Sequence, residues 1–133
     1  MGIKCSLVTP ERELFTGEVD YLCAQGMVGE FGVLPGHTPF ITLLKAGIAY
    51  VETGDEIKRF ALISGFCQVS GDYVIILADE AYTEGEINRE QAEEEYKNAI
   101  SELDKLKPDD PKYNEITKRV DRAKVLVDIA EKR

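Results

Sequence analysis

The single histidine of the chain, His37, lies in a segment that could support chemistry, residues 26–40, which is rich in glycine and proline. An imidazole can act as general base toward a hydroxyl or thiol nucleophile, and Ser64 and Cys67 are candidates. His37 stands in a predicted tight turn, however, where a hydrogen-bonding structural role is the default. The sequence therefore favours a turn or interface histidine, and a small hydrolase using His37 remains an open alternative.

The four glycines of residues 26–40 do not predict a phosphate-binding loop. A P-loop needs Gly-Lys-Ser/Thr leading straight into a helix, and a dinucleotide fingerprint also needs a helix N-terminus after its glycines. Here Pro35, Pro39 and a β-branched stretch follow instead. Glycine permits positive φ and proline fixes φ, so the residue types of this segment favour a specific backbone shape.

Metal and redox chemistry are not indicated either. The chain has three cysteines, Cys5, Cys23 and Cys67, with no CxxC pair, and no His, Asp or Glu cluster has metal-ligand spacing. We expect these cysteines to be small buried hydrophobes in a reducing compartment. Residues 93–95 are three consecutive glutamates, best explained as a solvated helix face. We expect no metal, no cofactor and no catalytic residue, which favours a binding or regulatory protein.

Composition narrows the class of partner. The chain has 133 residues and a net charge of −9, which argues against nucleic acid and anionic lipid as partners, because both require clustered Lys and Arg. We find neither the apolar core of a signal peptide nor a run approaching the ~20 apolar residues of a membrane span. Contact with a membrane is therefore expected only through a partner.

The first part of the chain alternates apolar and polar residues with period two, as strands do. Turn signals at 53–55 and 70–72 resemble those of β-hairpins. Many short strands without intervening helices predict a β-sandwich or flattened barrel. The main runs are residues 3–8, 19–23, 48–52, 57–63, 66–69 and 73–77.

From Ile87 onward the apolar period changes to three and four, which is typical of helices. Asn88 and Gln91 form a plausible capping box, and residues 107–111 contain two prolines that should break the helix. Two helices joined by so short a break should lie antiparallel. We predict an N-terminal antiparallel β-sandwich, residues 1–84, followed by a C-terminal antiparallel two-helix hairpin, residues 85–133.

Residues 29–39 resemble the signature loop of the epsilon subunit of F-type ATP synthases of the bacterial type. Further matches occur in the family's order and spacing, and the resemblance covers essentially the whole chain, helical hairpin included. They lie at residues 7–11, 15–17, 64–66 and 77–81.

The resemblance implies a non-catalytic central-stalk subunit with two partners, the gamma subunit and the c ring, that couples proton- or sodium-driven rotation to ATP synthesis. It implies a location at the cytoplasmic face of the bacterial inner membrane, as a peripheral part of the synthase. Glu30 and Phe31, expected to point outward from their loop, match positions that face the c ring. Positions that face gamma are matched by Thr9, His37, Thr42 and Ser64.

In the family, the hairpin folds against the sandwich or extends toward the alpha/beta catalytic head and restrains ATP hydrolysis. By this resemblance the inhibitory basic residues are Lys118, Arg119, Arg122 and Lys124. Some bacterial members bind ATP through an Ile/Leu-Asp-x-x-Arg-Ala motif. The matching residues here are Ile87, Asn88, Gln91 and Ala92. Since the motif's Asp and Arg are replaced, we expect weak or no nucleotide binding.

A second class of function stays open on the residues alone. It is a free-standing small-molecule-binding β-sandwich with a dimerising helical hairpin. Dependence on a partner separates it from the stalk subunit, because only the stalk subunit should reside in a complex with gamma.

Overall fold

The computed structural model describes residues 2–131, which form eight strands, a single 3₁₀ turn and two helices. The β-rich part precedes the helices throughout. Its strands are β1 (Ile3–Val8), β2 (Glu13–Val19), β3 (Tyr21–Gly26), β4 (Gly29–Val33), β5 (Phe40–Leu44), β6 (Gly47–Thr53), β7 (Glu56–Ser70) and β8 (Tyr73–Thr83). The 3₁₀ turn (Glu84–Glu86) leads to α1 (Arg89–Asp104) and α2 (Tyr113–Glu131).

The strands form one hydrogen-bonded sheet that doubles over into two layers. One layer runs β2-β1-β8-β7-β5, and the other is built from β4, β3, β6 and the remaining halves of β7 and β8. Pairing is antiparallel except between β1 and β8, which are parallel. The long β7–β8 hairpin belongs to both layers and therefore connects them.

Strand β7 bends where it passes from one layer to the other. It pairs with β6 up to Leu62 and with β5 from Gly65. At the bend, Ser64 has φ 60° and Gly65 has φ 130°. A Cβ on Gly65 would lie 2.1 Å from the carbonyl oxygen of Leu77. Only glycine fits this close approach of β7 to β8.

The main core lies between the two layers and is lined by the inward residues of all eight strands. β7 shows how the alternation works, because Phe60 and Leu62 enter this core while Ala61 and Ile63 point outward, yet all four are buried. The outward pair is covered by α2. A strand buried on both faces reads as a continuous apolar run.

The hairpin is folded against the sandwich. The Asn88 side chain accepts a 3.0 Å hydrogen bond from the Gln91 N–H and caps α1, as expected. α2 has two apolar stripes, one toward α1 and one, with Val125, Leu126 and Ile129, toward the outer surface of β7. α2 is thus sandwiched between α1 and the sheet.

The predicted fold class is confirmed, with differences of detail. Strands β2, β4 and β5 were not among the main predicted runs, and residues 57–69 form one bent strand instead of two. β4 lies within the segment interpreted as a loop, because its glycines mask the period-two signal. The division at residue 84 stays a prediction, since α2 packs directly on β7.

Candidate interaction surfaces

An apolar surface covers the outer side of the layer formed by β5, β7, β8 and β1. In these strands the residues that alternate with core residues point outward, and those nearest the bend of β7 are hydrophobic, whereas Ser6 and Gln68 further along are polar. We call this surface the open face. It consists of Val8, Ile41, Leu43, Phe66, Ile75 and Leu77.

Strand register makes the open face continuous. Leu43 pairs with Phe66, Phe66 with Leu77, and Leu77 with Val8, so one apolar row crosses four strands. In the adjacent row Ile41 and Ile75 flank the polar Gln68. Directly opposed side chains in a sheet lie about 5 Å apart, so the row forms one patch. Leu43 is 64% exposed and Leu77 is 40% exposed, which is unusual for aliphatic residues so closely grouped.

Of the four residues predicted to face gamma, Thr9 and Ser64 adjoin the open face along the chain. Thr9 directly follows Val8, and its Oγ1 accepts the Arg12 N–H at 3.2 Å to close the β1–β2 turn. Ser64 occupies the bend of β7. Thr42 is on β5, but its side chain lies on the same side as buried Leu44, so its neighbours Ile41 and Leu43 are the residues that point outward.

His37 has local partners. Its Nδ1 lies 2.8 Å from the Thr38 carbonyl oxygen, and its ring centroid is 5.2 Å from that of Phe40. Within residues 2–131 no hydrogen bond joins His37 to Ser64 or Cys67. Burial raises the pKa of the Cys67 thiol to about 12, so it is no nucleophile at neutral pH. The geometry does not support a hydrolase.

The β3–β4 turn forms a second exposed surface. Val28 is 97% exposed at its tip and Met27 is 62% exposed. The exposed Glu30 carboxylate accepts a 2.7 Å hydrogen bond from Nε2 of Gln25 on the neighbouring strand. The outward orientation expected for Phe31 is wrong. Its ring is half-buried against the core, 5.4 Å from Phe40, because β4 alternates like any other strand.

The basic residues of α2 divide into two groups. Arg122 forms ion pairs with Glu80 and Glu95, and Arg119 pairs with Glu102. Among the described residues, neither Lys118 nor Lys124 has an ion-pair partner.

The degenerate nucleotide motif is occupied by structural roles. The Asn88 side chain caps α1, Ala92 is buried under α2, and Ile87 packs at the edge of the same cluster. Gln91 is exposed. None of these four residues therefore presents a positive charge to a phosphate, and Arg89, which lies within the motif, pairs with Glu93 at 3.1 Å.

An open groove of about 790 Å³ lies beside the contact of α2 with β7, between α2, β6 and the first residues of β7. Charges of both signs line it without converging on one point, so it defines no ligand class. Within residues 2–131, no group of three or more His, Cys, Asp or Glu could hold a metal ion, and no helix is long and apolar enough to cross a membrane. The charged lining residues of the groove are Lys45, Glu52, Arg59, Asp121, Lys124 and Asp128.

Comparison with known proteins identifies the family. The family model described as ATP synthase, Delta/Epsilon chain, beta-sandwich domain matches residues 2–84. The ATP synthase epsilon chain of Geotalea daltonii is 38% identical over 130 residues, covering 98% of this chain and 94% of the relative. This chain belongs to the ATP synthase epsilon chain family. The epsilon chain of Geobacter sulfurreducens is 37% identical with the same coverage.

Solved structures agree on the fold of this epsilon chain. A chain of the Euglena gracilis mitochondrial ATP synthase OSCP/F1/c-ring structure superposes with a TM-score of 0.83 at 23% identity, over 94% of this chain and 79% of that one. A chain of the Tetrahymena thermophila mitochondrial ATP synthase central stalk/c-ring structure gives a TM-score of 0.62 at 12% identity, over 96% of each. Family membership decides against the free-standing small-molecule-binding protein.

The open face is not predicted by the sequence analysis. The only indication of it is that Ile41, Leu43, Ile75 and Leu77 are apolar although they alternate with the residues of β5 and β8 that face the core. A strand with apolar residues on both faces is normally predicted to be buried on both faces. The sequence does not show whether each face is covered by another part of this chain or by a different protein.

Proposed function

We propose that this epsilon chain is a non-catalytic central-stalk subunit that binds gamma through the open face and rests on the c ring through the β3–β4 turn. In this position it couples ion-driven rotation to ATP synthesis. The observation that carries the proposal is the continuous row of Val8, Leu43, Phe66 and Leu77. A patch of this kind is a protein-binding surface far more often than a solvated one.

Residues around the open face complete the proposed gamma contact. Thr9, His37 and Ser64 would form its polar rim, which fits the usual anatomy of an interface with an apolar centre. Thr42 would face gamma only through its backbone, since its side chain lies on the inner side of β5 while Ile41 and Leu43 point outward. Glu30, with Phe31 supporting its strand from behind, would meet polar or basic groups of the c ring.

The location follows from these contacts. The subunit would be a peripheral part of the synthase at the cytoplasmic face of the bacterial inner membrane, touching the membrane sector only through its partners. The hairpin, residues 85–133, would restrain ATP hydrolysis when it leaves the sandwich and meets the alpha/beta head through Lys118, Arg119, Arg122 and Lys124.

A matched pair of exposed aliphatic residues tests the gamma contact. Leu77 lies on the open face and Ile57 lies on β7 outside it, and they are 40% and 42% exposed. We expect Leu77→Asp to weaken binding of the full-length chain to purified gamma by about 30-fold, as for a central interface residue, and Ile57→Asp to have little effect. Equal loss in both variants, or in neither, would overturn the assignment of the open face.

We further expect the isolated chain to bind ATP weakly or not at all. Asn88 is engaged as a helix cap, and the guanidinium of Arg122 is engaged by Glu80. Isothermal titration calorimetry of the full-length chain measures this directly. Micromolar affinity in the absence of other subunits would contradict the expectation.

A further inference from the structure

Arg122 lies where α2, α1 and β8 meet. Its Nε is 3.1 and 3.2 Å from the two carboxylate oxygens of Glu80, and its Nη2 is 2.9 Å from Glu80 Oε1. The Tyr82 hydroxyl donates to the same Oε1 at 2.8 Å, and Arg122 Nη1 is 3.6 Å from Glu95. One guanidinium thus joins the helical hairpin to the sandwich through a two-pronged charged contact.

The two arginines of the basic segment differ in what their partners belong to. Arg119 pairs with Glu102 of α1, and Glu95 is also on α1, so both contacts stay within the hairpin. Glu80 is on β8, so its contact with Arg122 crosses from hairpin to sandwich. A rigid departure of the hairpin would leave the first two pairs intact and would necessarily break the third.

The electrostatics agree with a close charged contact. Hydrogen bonding from Arg122 lowers the pKa of the Glu80 carboxyl, and the Glu80 carboxylate raises the pKa of Arg122. Both side chains remain about one third exposed, at 38% and 34%. Solvent therefore screens the pair, and it holds the hairpin modestly instead of permanently.

We propose that Glu80, supported by Tyr82, is an intramolecular competitor that occupies Arg122 and so sequesters the basic segment of α2 from acidic groups of a partner. This inference rests on the proposed inhibitory function of the hairpin and specifies its regulation. When the hairpin is docked, Arg122 is neutralised by the sandwich itself. An acidic partner must displace Glu80 before Arg122 can contribute to binding, so the contact sets a threshold for release.

The apolar contact beneath α2 explains why the threshold can be small. Val125, Leu126 and Ile129 hold the helix on β7, whereas Glu80 acts at one point beside them. Removing Glu80 should bias the docked hairpin toward release without unfolding it. A two-state element whose docked and released states lie close in free energy responds to such a change.

Hydrogen exchange of the full-length isolated chain tests the contact. We expect Glu80→Gln to speed exchange of the buried amides of α2 about three- to tenfold, while amides of β1, β3 and β6 are unchanged. Glu94→Gln on α1 is the matched control, because Glu94 is exposed and forms no ion pair with the described residues. In an Arg122→Gln background, Glu80→Gln should add nothing.

Unchanged α2 exchange in Glu80→Gln, or an equal rise in Glu94→Gln, would overturn the inference. If exchange also rises in the strands, the variant is globally destabilised, and Tyr82→Phe then decides. That variant keeps the carboxylate but removes its supporting hydroxyl, so a smaller rise confined to α2 supports the inference. No such rise overturns it.

Hydrolysis by the assembled synthase separates this inference from the proposed function. Deletion of residues 85–133 should raise ATP hydrolysis if the hairpin inhibits, and failure here refutes the proposed inhibitory function. If deletion does raise it, Glu80→Gln in the full-length chain should lower hydrolysis by about two- to fivefold, because α2 is released more often. Unchanged hydrolysis in that variant refutes the competitor role while leaving the inhibitory function standing.

Discussion

The two outer faces of the sandwich are built from the same β7–β8 hairpin, yet residues 2–131 cover only one of them. On the covered face, Ala61 and Ile63 of β7 lie under α2 and are at most 9% exposed. On the open face, Leu43 and Leu77 remain 64% and 40% exposed. The covered face carries a small residue where the helix approaches, whereas the open face carries large side chains that nothing in residues 2–131 covers.

This difference distinguishes a surface that packs against a helix of the same chain from a surface suited to binding another protein. A helix can lie close to a sheet over alanine, and Ala61, which shares a buried cluster with Ile129 of α2, provides that approach. Large branched and aromatic side chains such as Phe66 instead offer area to a partner. The bend at Ser64 and Gly65 lies between the two faces, so it determines which residues of β7 serve each.

The largest expected effect comes from breaking the bend itself. Gly65→Ala places a Cβ 2.1 Å from the Leu77 carbonyl oxygen and forces a non-glycine residue to φ 130°, which should destabilise the fold by about 3 kcal/mol or more. Chemical denaturation measures the loss. Gly54→Ala is the control, because Gly54 has φ 62° and no atom within 4 Å of the added Cβ, so we expect a loss of about 1 kcal/mol. Similar losses in both variants would show that the bend is not tight.

The next effect concerns the covered face. Ile129→Ala leaves a cavity at a fully buried position between α2 and β7, and we expect a loss of about 2–4 kcal/mol from the docking of the hairpin. Protection of α2 amides should fall while the strands stay protected. Leu106→Ala, at the half-exposed end of the hairpin, should cost about 1 kcal/mol or less. A uniform loss of protection after Ile129→Ala would mean that sandwich and hairpin unfold as one unit.

The comparison of the covered and open faces also explains which features could be predicted from the sequence and which could not. Alternation, the Asn88 cap and the prolines of residues 107–111 were sufficient for the two-part fold, because they are local signals. The second stripe of α2, with Val125 and Leu126, and the orientation of Phe31 depend on what packs against them. Local periodicity carries no information about which neighbouring element covers a face, so these features required the tertiary structure.

The candidate site shows the same limit. The expectation that Thr9, His37, Thr42 and Ser64 face gamma comes from a resemblance, whereas the apolar row beside Thr9 and Ser64 depends on strand register. The parallel pairing of β1 with β8, which places Val8 beside Leu77, joins residues that are far apart in the sequence. Turn chemistry predicts neighbouring antiparallel strands but not this long-range pair.

A smaller effect is expected at the β3–β4 turn, which tests whether this turn is a second, polar binding surface in addition to the open face. Glu30→Lys reverses an exposed charge and removes the acceptor for Gln25, 2.7 Å away. We expect the proposed contact of this turn with the c ring to weaken by about 1 kcal/mol or less, with more effect at low salt, and the coupling of ATP synthesis to rotation to fall accordingly. Thermal stability should change little. Unchanged coupling together with a large loss of stability would make Glu30 a structural residue.

The smallest effect is expected in the linker between β8 and α1, where Glu86 of the 3₁₀ turn contacts Arg12. The carboxylate accepts a 2.7 Å hydrogen bond from Arg12 and another from the Thr83 N–H, which lowers its pKa to about 2. A glutamate in the unfolded chain titrates at about 4.3, so the contact stabilises the fold above that pH and its contribution disappears as the pH falls toward about 2.

Glu86→Gln should therefore lose less stability than the unaltered chain as the pH falls over this interval. Denaturation midpoints measured at both ends of the interval give the difference, and identical pH dependence in the two proteins would show that Glu86 does not tie the linker to the sandwich. Because Arg12 lies in the β1–β2 turn and also donates to the Ala81 carbonyl oxygen at 3.2 Å, a confirmed effect would show that this turn fixes the start of the linker between β8 and α1 to the sandwich.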